Sequence, residues 1–260
     1  MPIVIAVSNQ KGGVAKTTTC ISLGAALNER GYNVLLVDLD PQANLSLALG
    51  VNPMTVRRTV ADVLMGNLTV ADVRQTTAVP GLELLPANHQ MRLVDRFLVA
   101  RPKYEFALQE AVRPAPDTFC LCDCPPNLGP LTLSALVAAD LTLIPTQCEP
   151  FALHGVREVI IYMYDQRHRL GLPFADYRVL PAMVDRRNRI HGQTLVQLRD
   201  EFGRTVTAAM IEVDTQLRES QAAALPITWY ASAGRSAAQY RALAEEVVTF
   251  FSPSLQSPRG

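Results

Sequence analysis

The chain has 260 residues with a formal net charge of zero, and 48% of the residues are hydrophobic, so it is long enough for one large α/β domain with a sizeable core. Zero net charge provides no overall field that would attract nucleic acid. No apolar run reaches the roughly 18 residues that span a bilayer. The first residues also lack the charged and apolar regions of a signal peptide. We therefore expect a cytoplasmic protein with no membrane partner.

Short apolar runs and helical periods alternate along the chain. The apolar runs are continuous, which is typical of strands buried on both faces of a parallel sheet. They occupy residues 3–8, 34–40, 82–86, 119–123, 141–145 and 177–183, and helical periods fit 17–30, 101–113, 153–170, 192–202 and 236–251. This rhythm predicts an α/β fold, with a mostly parallel twisted sheet covered by helices on both faces. We expect a single domain over 1–260, with a short disordered tail from about 252 to 260.

A loop that can bind phosphate lies between the first strand and the first helix, in "QKGGVAKTTT" at 10–19. Backbone N–H groups from Gly12 to Thr17 would hold phosphates at the positive end of the helix. Lys16 would reach the β- and γ-phosphates, and the Thr17 hydroxyl would bind Mg²⁺. Ala15 stands where the usual pattern has glycine, so its methyl group would clash with the phosphates or require a negative φ. We expect nucleotide binding to survive this departure.

Three acidic residues follow apolar strands near this loop. Asp123 ends one strand as a Walker B aspartate does, and would hold Mg²⁺ through a water. Asp38 and Asp40 end the second strand two residues apart, so both would point to one face. Because Mg²⁺ at a nucleotide needs few protein carboxylates, one of this pair can instead orient the attacking water. Open α/β sheets bind ligands beyond the carboxyl ends of their strands, which is where these acids collect.

Five segments together resemble the ParA/Soj partition ATPases of the deviant Walker A group: "KGGVAKTT", "VLLVDLDPQANLS", "CDCPPNLG", "LTLIPTQCEPFALHGV" and "SAGRSAAQYRALAEEV". The likeness runs from about residue 3 to 250. The chain shows no N-terminal helix-turn-helix, so it resembles the small ParA type. The resemblance implies a slow ATPase that closes a sandwich homodimer on ATP and Mg²⁺. Such a dimer would bind nucleoid DNA without sequence preference, and a ParB-like adaptor protein would stimulate hydrolysis.

The resemblance also implies roles for single residues. Lys11 matches the family's signature lysine, which reaches across the dimer to the partner's phosphates as an arginine finger does. Asp40 matches the hydrolytic aspartate, and Thr18 matches the residue beside the α-phosphate. The catalytic candidates are Lys11, Lys16 and Asp40; the phosphate-loop candidates are Gly12, Gly13, Val14, Ala15, Lys16, Thr17 and Thr18; and the metal-site candidates are Thr17, Asp38 and Asp123.

Arginines are concentrated late in the chain. Residues 165–189 contain six arginines and three aspartates, a local net charge of +3. In "MVDRRNR", which looks like the family's M-x-D-x-R segment, Arg187 falls on an arginine implicated in DNA binding, and Arg218 in "QLRES" resembles another. Contacts of this kind reach phosphates without reading sequence, so they weaken with salt. A solvated charged surface is the alternative. Met183 and Tyr230 are candidates to border the adenine.

Other functions on related folds stay open. A MinD-like membrane ATPase needs a basic amphipathic C-terminal helix, which the prolines of the tail disfavour. A ParA-like ATPase that positions a non-DNA cargo would differ only in its partner. A reductase like the nitrogenase iron protein carries its cluster cysteine several residues past the Walker B acid, whereas Cys124 follows Asp123 directly. A biosynthetic ligase shares the fold, but nothing in the sequence suggests a small-molecule substrate site.

Overall fold

The structure is a computed structural model that describes residues 1–256. Within this range, seven strands form one sheet, and every parallel strand is built largely from buried apolar residues. The strands are β1 (Ile3–Val7), β2 (Val34–Asp38), β3 (Gln75–Thr76), β4 (Leu82–Leu85), β5 (Phe119–Asp123), β6 (Leu141–Gln147) and β7 (Asp176–Ala182).

Helices connect and cover these strands. Short 3₁₀ turns lie at Leu98–Ala100, Tyr104–Phe106 and Gly203–Thr205. None of the helices in the described part of the chain is long and apolar enough to cross a membrane. The α-helices are α1 (Lys16–Glu29), α2 (Asn44–Ala48), α3 (Val60–Leu64), α4 (Val70–Val73), α5 (Met91–Phe97), α6 (Ala107–Val112), α7 (Pro130–Ala138), α8 (Ala152–Arg169), α9 (Arg189–Phe202), α10 (Thr215–Ala222), α11 (Ile227–Tyr230) and α12 (Arg235–Gln256).

The strand order is β3-β4-β2-β5-β1-β6-β7, and only the short edge strand β3 pairs antiparallel. Strand β5 lies between β1 and β2, and Asp123 at its end is in register with Val7 on one side and Asp38 on the other. This order brings the carboxyl ends of the first, second and fifth strands together at one edge. The predicted fold class, a mostly parallel sheet with helices on both faces, is confirmed.

Alternate residues of the central strands supply two separate cores. One core contains Val4, Leu35 and Cys120, packed against α3, α5, α6 and α7. The other contains Ile5, Leu36 and their neighbours, packed against α1 and α12. Because both faces of the sheet are covered, the strands read as continuous apolar runs rather than alternating ones.

The helix predicted over 101–113 is shorter than expected. Lys103 has φ 56°, a left-handed conformation that a continuous helix does not allow. Only a 3₁₀ turn at Tyr104–Phe106 and the helix α6 follow it. The proline at 102 also disfavours helical geometry for the residue before it.

The structure describes a helix at the start of the tail that the sequence predicts to be disordered, and the prediction of a disordered tail stays a prediction for the rest. Helix α12 continues through Pro253 to Gln256. Phe250, Phe251 and Leu255 pack against the core on the α1 side of the sheet, and the Ser252 hydroxyl donates a hydrogen bond to Val248 O. This apolar packing offsets the cost of a proline within the helix. Residues 257–260 lie outside the described residues.

Candidate functional site

The phosphate-binding loop runs from the end of β1 to the start of α1. Gly13 and Ala15 both have positive φ, 73° and 69°, which turn the backbone within three residues. A Cβ placed on Gly12 or Gly13 would meet nothing within 4 Å among the described residues, so the loop opens onto free space. The Val14 side chain is buried and fixes the loop to the protein. The expectation of a negative φ at Ala15 is wrong, because this alanine adopts the conformation that the usual glycine would supply.

Lys16 lies under the loop. Its side chain is 8% exposed, and its ammonium donates a hydrogen bond to the carbonyl oxygen of Lys11 at 3.0 Å. Burial lowers the pKa of Lys16, and the nearby carboxylate of Asp123 opposes that change. An ammonium held in this position can give its remaining N–H groups to an anion above the loop.

Thr17 and Asp123 meet across two adjacent elements. The Thr17 hydroxyl donates to Asp123 Oδ2 at 2.7 Å, while Asp123 Oδ1 is buried with no hydrogen-bond partner among the described residues. Burial raises the pKa of Asp123 well above its usual value, and the negative charge of Asp38 adds to the effect. A hydroxyl beside an unsatisfied carboxylate oxygen is a donor set that suits Mg²⁺. These residues therefore fit the predicted metal ion.

Asp38 is buried beside Asp123, but its oxygens already have partners. Oδ2 accepts hydrogen bonds from the Ser46 backbone N–H at 2.8 Å and the Ser46 hydroxyl at 2.6 Å, and Oδ1 accepts one from the Asp40 N–H at 3.2 Å. Burial raises the pKa of Asp38 to about 7. The same Ser46 oxygen accepts the Ala87 N–H at 2.8 Å. Asp38 thus ties α2 to the ends of β2 and β4, which is a structural task that its sequence position did not reveal.

Asp40 lines a cavity of about 650 Å³ that opens beside the phosphate loop. Its side chain is 8% exposed, and Oδ1 accepts the Gln42 N–H at 2.9 Å. A cavity of this size is typical of small-ligand sites. It is lined by Gly12, Gly13, Ala15, Lys16, Thr17, Thr18, Asp40, Gln42, Asn44, Leu47, Ala48, Pro126, Met183, Ile211, Glu212, Val213, Asp214, Leu217, Arg218, Gln221 and Ala222.

Of the two residues predicted to border the adenine, one lines the cavity and the other does not. Met183 lines the cavity and has φ 53°. Tyr230 is not among the residues that line it, so a role for Tyr230 beside the adenine stays a prediction. Residues Ile227–Tyr230 form the short helix α11, and the Tyr230 hydroxyl lies 3.3 Å from Glu219 on α10.

Helix α10 forms a wall of the cavity that the sequence did not predict. The Gln221 amide donates to the Thr18 hydroxyl oxygen at 2.8 Å, which connects α10 to the first turn of α1. No motif marks Gln221, and 203 residues separate it from Thr18. The topology alone brings this pair together.

Lys11 is not among the described residues that line the cavity. Its ammonium lies 3.0 Å from Glu149 Oε2 in the loop after β6, and the two side chains are 51% and 39% exposed. The contribution of an exposed pair of this kind to stability is small. The side chain is consequently accessible at the rim of the phosphate loop.

The arginines predicted to bind DNA have different surroundings. Arg187 is 91% exposed and pairs with Asp185 at 3.1 Å, a contact that lowers the pKa of Asp185. Arg218 is exposed on α10 and also lines the cavity, and it forms no ion pair with a described residue. Arg186 is held 2.7 Å from the largely buried Glu212. Within the six-arginine segment, the charge of Arg186 is therefore balanced by a glutamate from outside that segment.

A phosphate loop after β1, an aspartate ending the adjacent β5 and a cavity beside both define a P-loop ATPase, and the additional lysine in the loop is typical of the deviant Walker A class. A family profile described as an AAA domain matches residues 3–170. The chain is 37% identical to the chromosome partitioning protein ParA of Caulobacter vibrioides, over 95% of this chain and 94% of that protein. It is 35% identical to the sporulation initiation inhibitor protein Soj of Bacillus subtilis, over 94% of this chain and 97% of Soj.

A solved structure with a different printed activity shares the fold and holds a nucleotide analogue. A Mycobacterium smegmatis protein described as cobyrinic acid a,c-diamide synthase, with a bound ATP analogue and magnesium, matches with a TM-score of 0.85 and 33% identity, over 98% of this chain and 97% of that one. The chain belongs to the ParA/Soj family. The predicted family, the ATPase class and the ATP and Mg²⁺ requirement are confirmed at the level of that family.

Proposed function

We propose that this ParA-type ATPase segregates a plasmid or a chromosome region. With ATP and Mg²⁺ it closes a sandwich homodimer that binds DNA without sequence preference. A ParB-like adaptor stimulates hydrolysis, and the dimer then opens and leaves the DNA. In the cell this cycle makes a cytoplasmic protein nucleoid-associated while ATP is bound.

The position of Lys11 carries the proposal. Its carbonyl oxygen belongs to the phosphate loop and accepts a hydrogen bond from Lys16, but its ammonium lies at an exposed rim beside Glu149. A flexible cation at that rim is accessible to the phosphates of a second subunit that faces the loop. Such a contact would form only when the partner holds a nucleotide, which couples nucleotide state to dimerisation.

The residues around the cavity support the chemistry of ATP hydrolysis. Backbone N–H groups from Gly12 to Thr18 and the Lys16 ammonium would hold the phosphates. Thr17 and Asp123 would hold Mg²⁺, which supplies charge neutralisation at the phosphate oxygens. Asp40 stands on the cavity wall, and among the described residues only the Gln42 N–H donates to its carboxylate. Its second oxygen would orient the attacking water.

Asp38 would support the metal site indirectly, by holding neighbouring residues in place. Both of its oxygens accept hydrogen bonds from Ser46 or the Asp40 backbone. It would therefore hold the loop that carries Asp40 and place negative charge next to Asp123. Met183 lines the same cavity and would border the base.

DNA binding would use exposed cations. Arg187 projects almost fully into solvent, and Asp185 holds its guanidinium in one orientation. Arg218 adds an exposed cation on α10. Because such groups contact phosphates and release counterions, affinity should fall steeply with salt and depend little on sequence.

The test is DNA binding with ATP, with ADP and without nucleotide, each at two salt concentrations. The proposal predicts tight, salt-sensitive binding only with ATP. Lys11→Ala should retain ATP binding but lose both the dimer and DNA binding. Lys103→Ala removes a lysine outside the loop and serves as the matched control. Equal DNA binding in all three nucleotide states would refute the proposed link between nucleotide and DNA.

Other functions give different results in related assays. A MinD-like ATPase would sediment with vesicles in the presence of ATP. A ParA-like ATPase that positions a non-DNA cargo would show the same ATP-dependent, salt-sensitive DNA binding. A ParB-like protein would not stimulate its ATP hydrolysis. The Mycobacterium smegmatis structure is described as a diamide synthase, and an enzyme of that kind would hydrolyse ATP only with its small-molecule substrate and show no ATP-dependent DNA binding.

A further inference from the structure

We infer that Gln221 is a positioning residue for nucleotide binding, which orients the Thr18 hydroxyl toward the phosphates. This inference rests on the proposed occupancy of the cavity by a nucleotide. It concerns a hydrogen bond between two cavity-lining side chains from opposite parts of the chain. The Gln221 amide donates to Thr18 Oγ1 at 2.8 Å, and both residues line the cavity.

The direction of this hydrogen bond determines what Thr18 can do. A threonine hydroxyl has one proton to donate and two lone pairs that accept. Gln221 occupies a lone pair, and no described residue accepts the Thr18 proton. The proton is therefore left for an acceptor in the cavity. Phosphate oxygens are strong acceptors, and a hydrogen bond to an anion is stronger than a neutral one.

The location of Thr18 fits a phosphate contact. It is the third residue of α1, whose first turn carries the positive end of the helix dipole. Lys16 and Thr17 precede it in the same turn and line the same cavity. A hydroxyl oriented from the first turn of this helix adds a directed donor to the backbone N–H groups.

Helix α10 holds Gln221 at a fixed position. Asp214 caps the helix by accepting the Gln216 N–H at 3.0 Å, and it also accepts the Ser236 hydroxyl of α12 at 2.7 Å. Ser220, next to Gln221, is buried, and its hydroxyl donates to Leu217 O. Because α10 is anchored to α12, the amide reaches Thr18 from a rigid element, which reduces the entropy lost when the contact forms.

The test is a double-mutant cycle on nucleotide affinity measured by titration calorimetry with ATP and with ADP. Gln221→Met keeps the length of the side chain and removes the amide, so both affinities should fall about three- to tenfold, the usual range for one hydrogen bond. In a Thr18→Val background the same change should have an effect below about twofold, since the hydroxyl it would orient is gone. Gln216→Met makes the same substitution on α10 away from the cavity and should leave affinity unchanged.

A second variant tests the direction of the bond. Glutamate at position 221 would accept the Thr18 proton and turn it away from the phosphates, so Gln221→Glu should bind ATP more weakly than Gln221→Met. Part of the difference in ATP affinity between Gln221→Glu and Gln221→Met should vanish in the Thr18→Val background. The part that remains is the effect of the negative charge that glutamate adds. Thermal unfolding without nucleotide should differ little among the position-221 variants, which separates positioning from a folding role.

Three results would overturn the inference. These are a Gln221→Met affinity within twofold of wild type, an equal loss with and without the Thr18 hydroxyl, and wild-type affinity in Gln221→Glu. Failure of ATP to bind to wild-type protein and Gln216→Met alike would instead refute the proposed function. The two failures are therefore distinguishable in one set of titrations.

Discussion

Replacing Ala15 with glycine tests whether the phosphate loop is strained in the folded protein. Ala15 stands at φ 69° and ψ 30° as the N-cap of α1. For a residue with a Cβ, the left-handed region costs roughly 1–2 kcal/mol, whereas glycine enters it freely. Glycine also gives the unfolded chain more freedom, which costs about 0.4–1 kcal/mol of stability. The difference predicts that Ala15→Gly stabilises the protein by roughly 0.5–1 kcal/mol.

The assay is thermal unfolding without nucleotide, followed by titration with ATP. For a chain of this length, 1 kcal/mol corresponds to a shift of about 2 °C in Tm, so Tm should rise by about 1–2 °C. Because the loop already has the conformation that glycine prefers, ATP affinity should change by less than about tenfold.

The matched control makes the same substitution where the backbone is helical. Ala242 is exposed in the middle of α12, and Ala242→Gly should destabilise the protein by about 0.5–1 kcal/mol. Ala15→Gly should therefore raise the stability of the protein, and Ala242→Gly should lower it. A lower Tm for Ala15→Gly, or a change in ATP affinity of about a hundredfold, would refute the reasoning from loop conformation.

Three further predictions follow from contacts in and around the site. Asp40→Ala should bind ATP and dimerise but lose hydrolysis, measured as phosphate release, and loss of ATP binding would contradict a catalytic role. Thr17→Val should remove the dependence of ATP affinity on Mg²⁺ in titrations with and without EDTA, because the hydroxyl beside Asp123 is gone; an undiminished Mg²⁺ effect would contradict this. Arg113→Ala should destabilise the protein by about 1–3 kcal/mol in denaturant unfolding, since this guanidinium donates to Asp140 and to the carbonyl oxygens of Pro2 and Ala138. The exposed Arg96→Ala is its control and should change stability by under about 0.5 kcal/mol.

The fold could be predicted because its strands are buried on both faces. In β1, β2 and β5 the pattern is continuous and apolar up to the terminal Asp38 and Asp123, which is typical of a parallel sheet covered on both faces. The errors lie where tertiary contacts decide local structure. Apolar side chains around Pro253 pack against the core, and helix α12 continues through the proline. Lys103 adopts a left-handed conformation, which interrupts the helix predicted over 101–113.

The site was predictable where one motif holds all of its parts. The phosphate loop and its lysine are local in sequence, and Asp123 was found because it ends a buried strand. Ser46, Gln221 and Glu149 were not found, because ordinary polar residues carry no local signal of a distant partner. The contact of Tyr230 with Glu219 was not found either, because it depends on how the short helix α11 packs beside α10.

The insertion of β5 between β1 and β2 has a consequence for how the protein folds. Thr17 and Asp123 are separated by 106 residues, and they become neighbours only after the chain has completed the crossover that places the fifth strand centrally. No fragment ending before β5 contains both groups. Ligands that need both will bind the native state and not earlier intermediates, and at a hundredfold excess over Kd such a ligand stabilises that state by about 2.7 kcal/mol. Magnesium nucleotide would then act on newly made chains as a selective stabiliser of those that have finished folding.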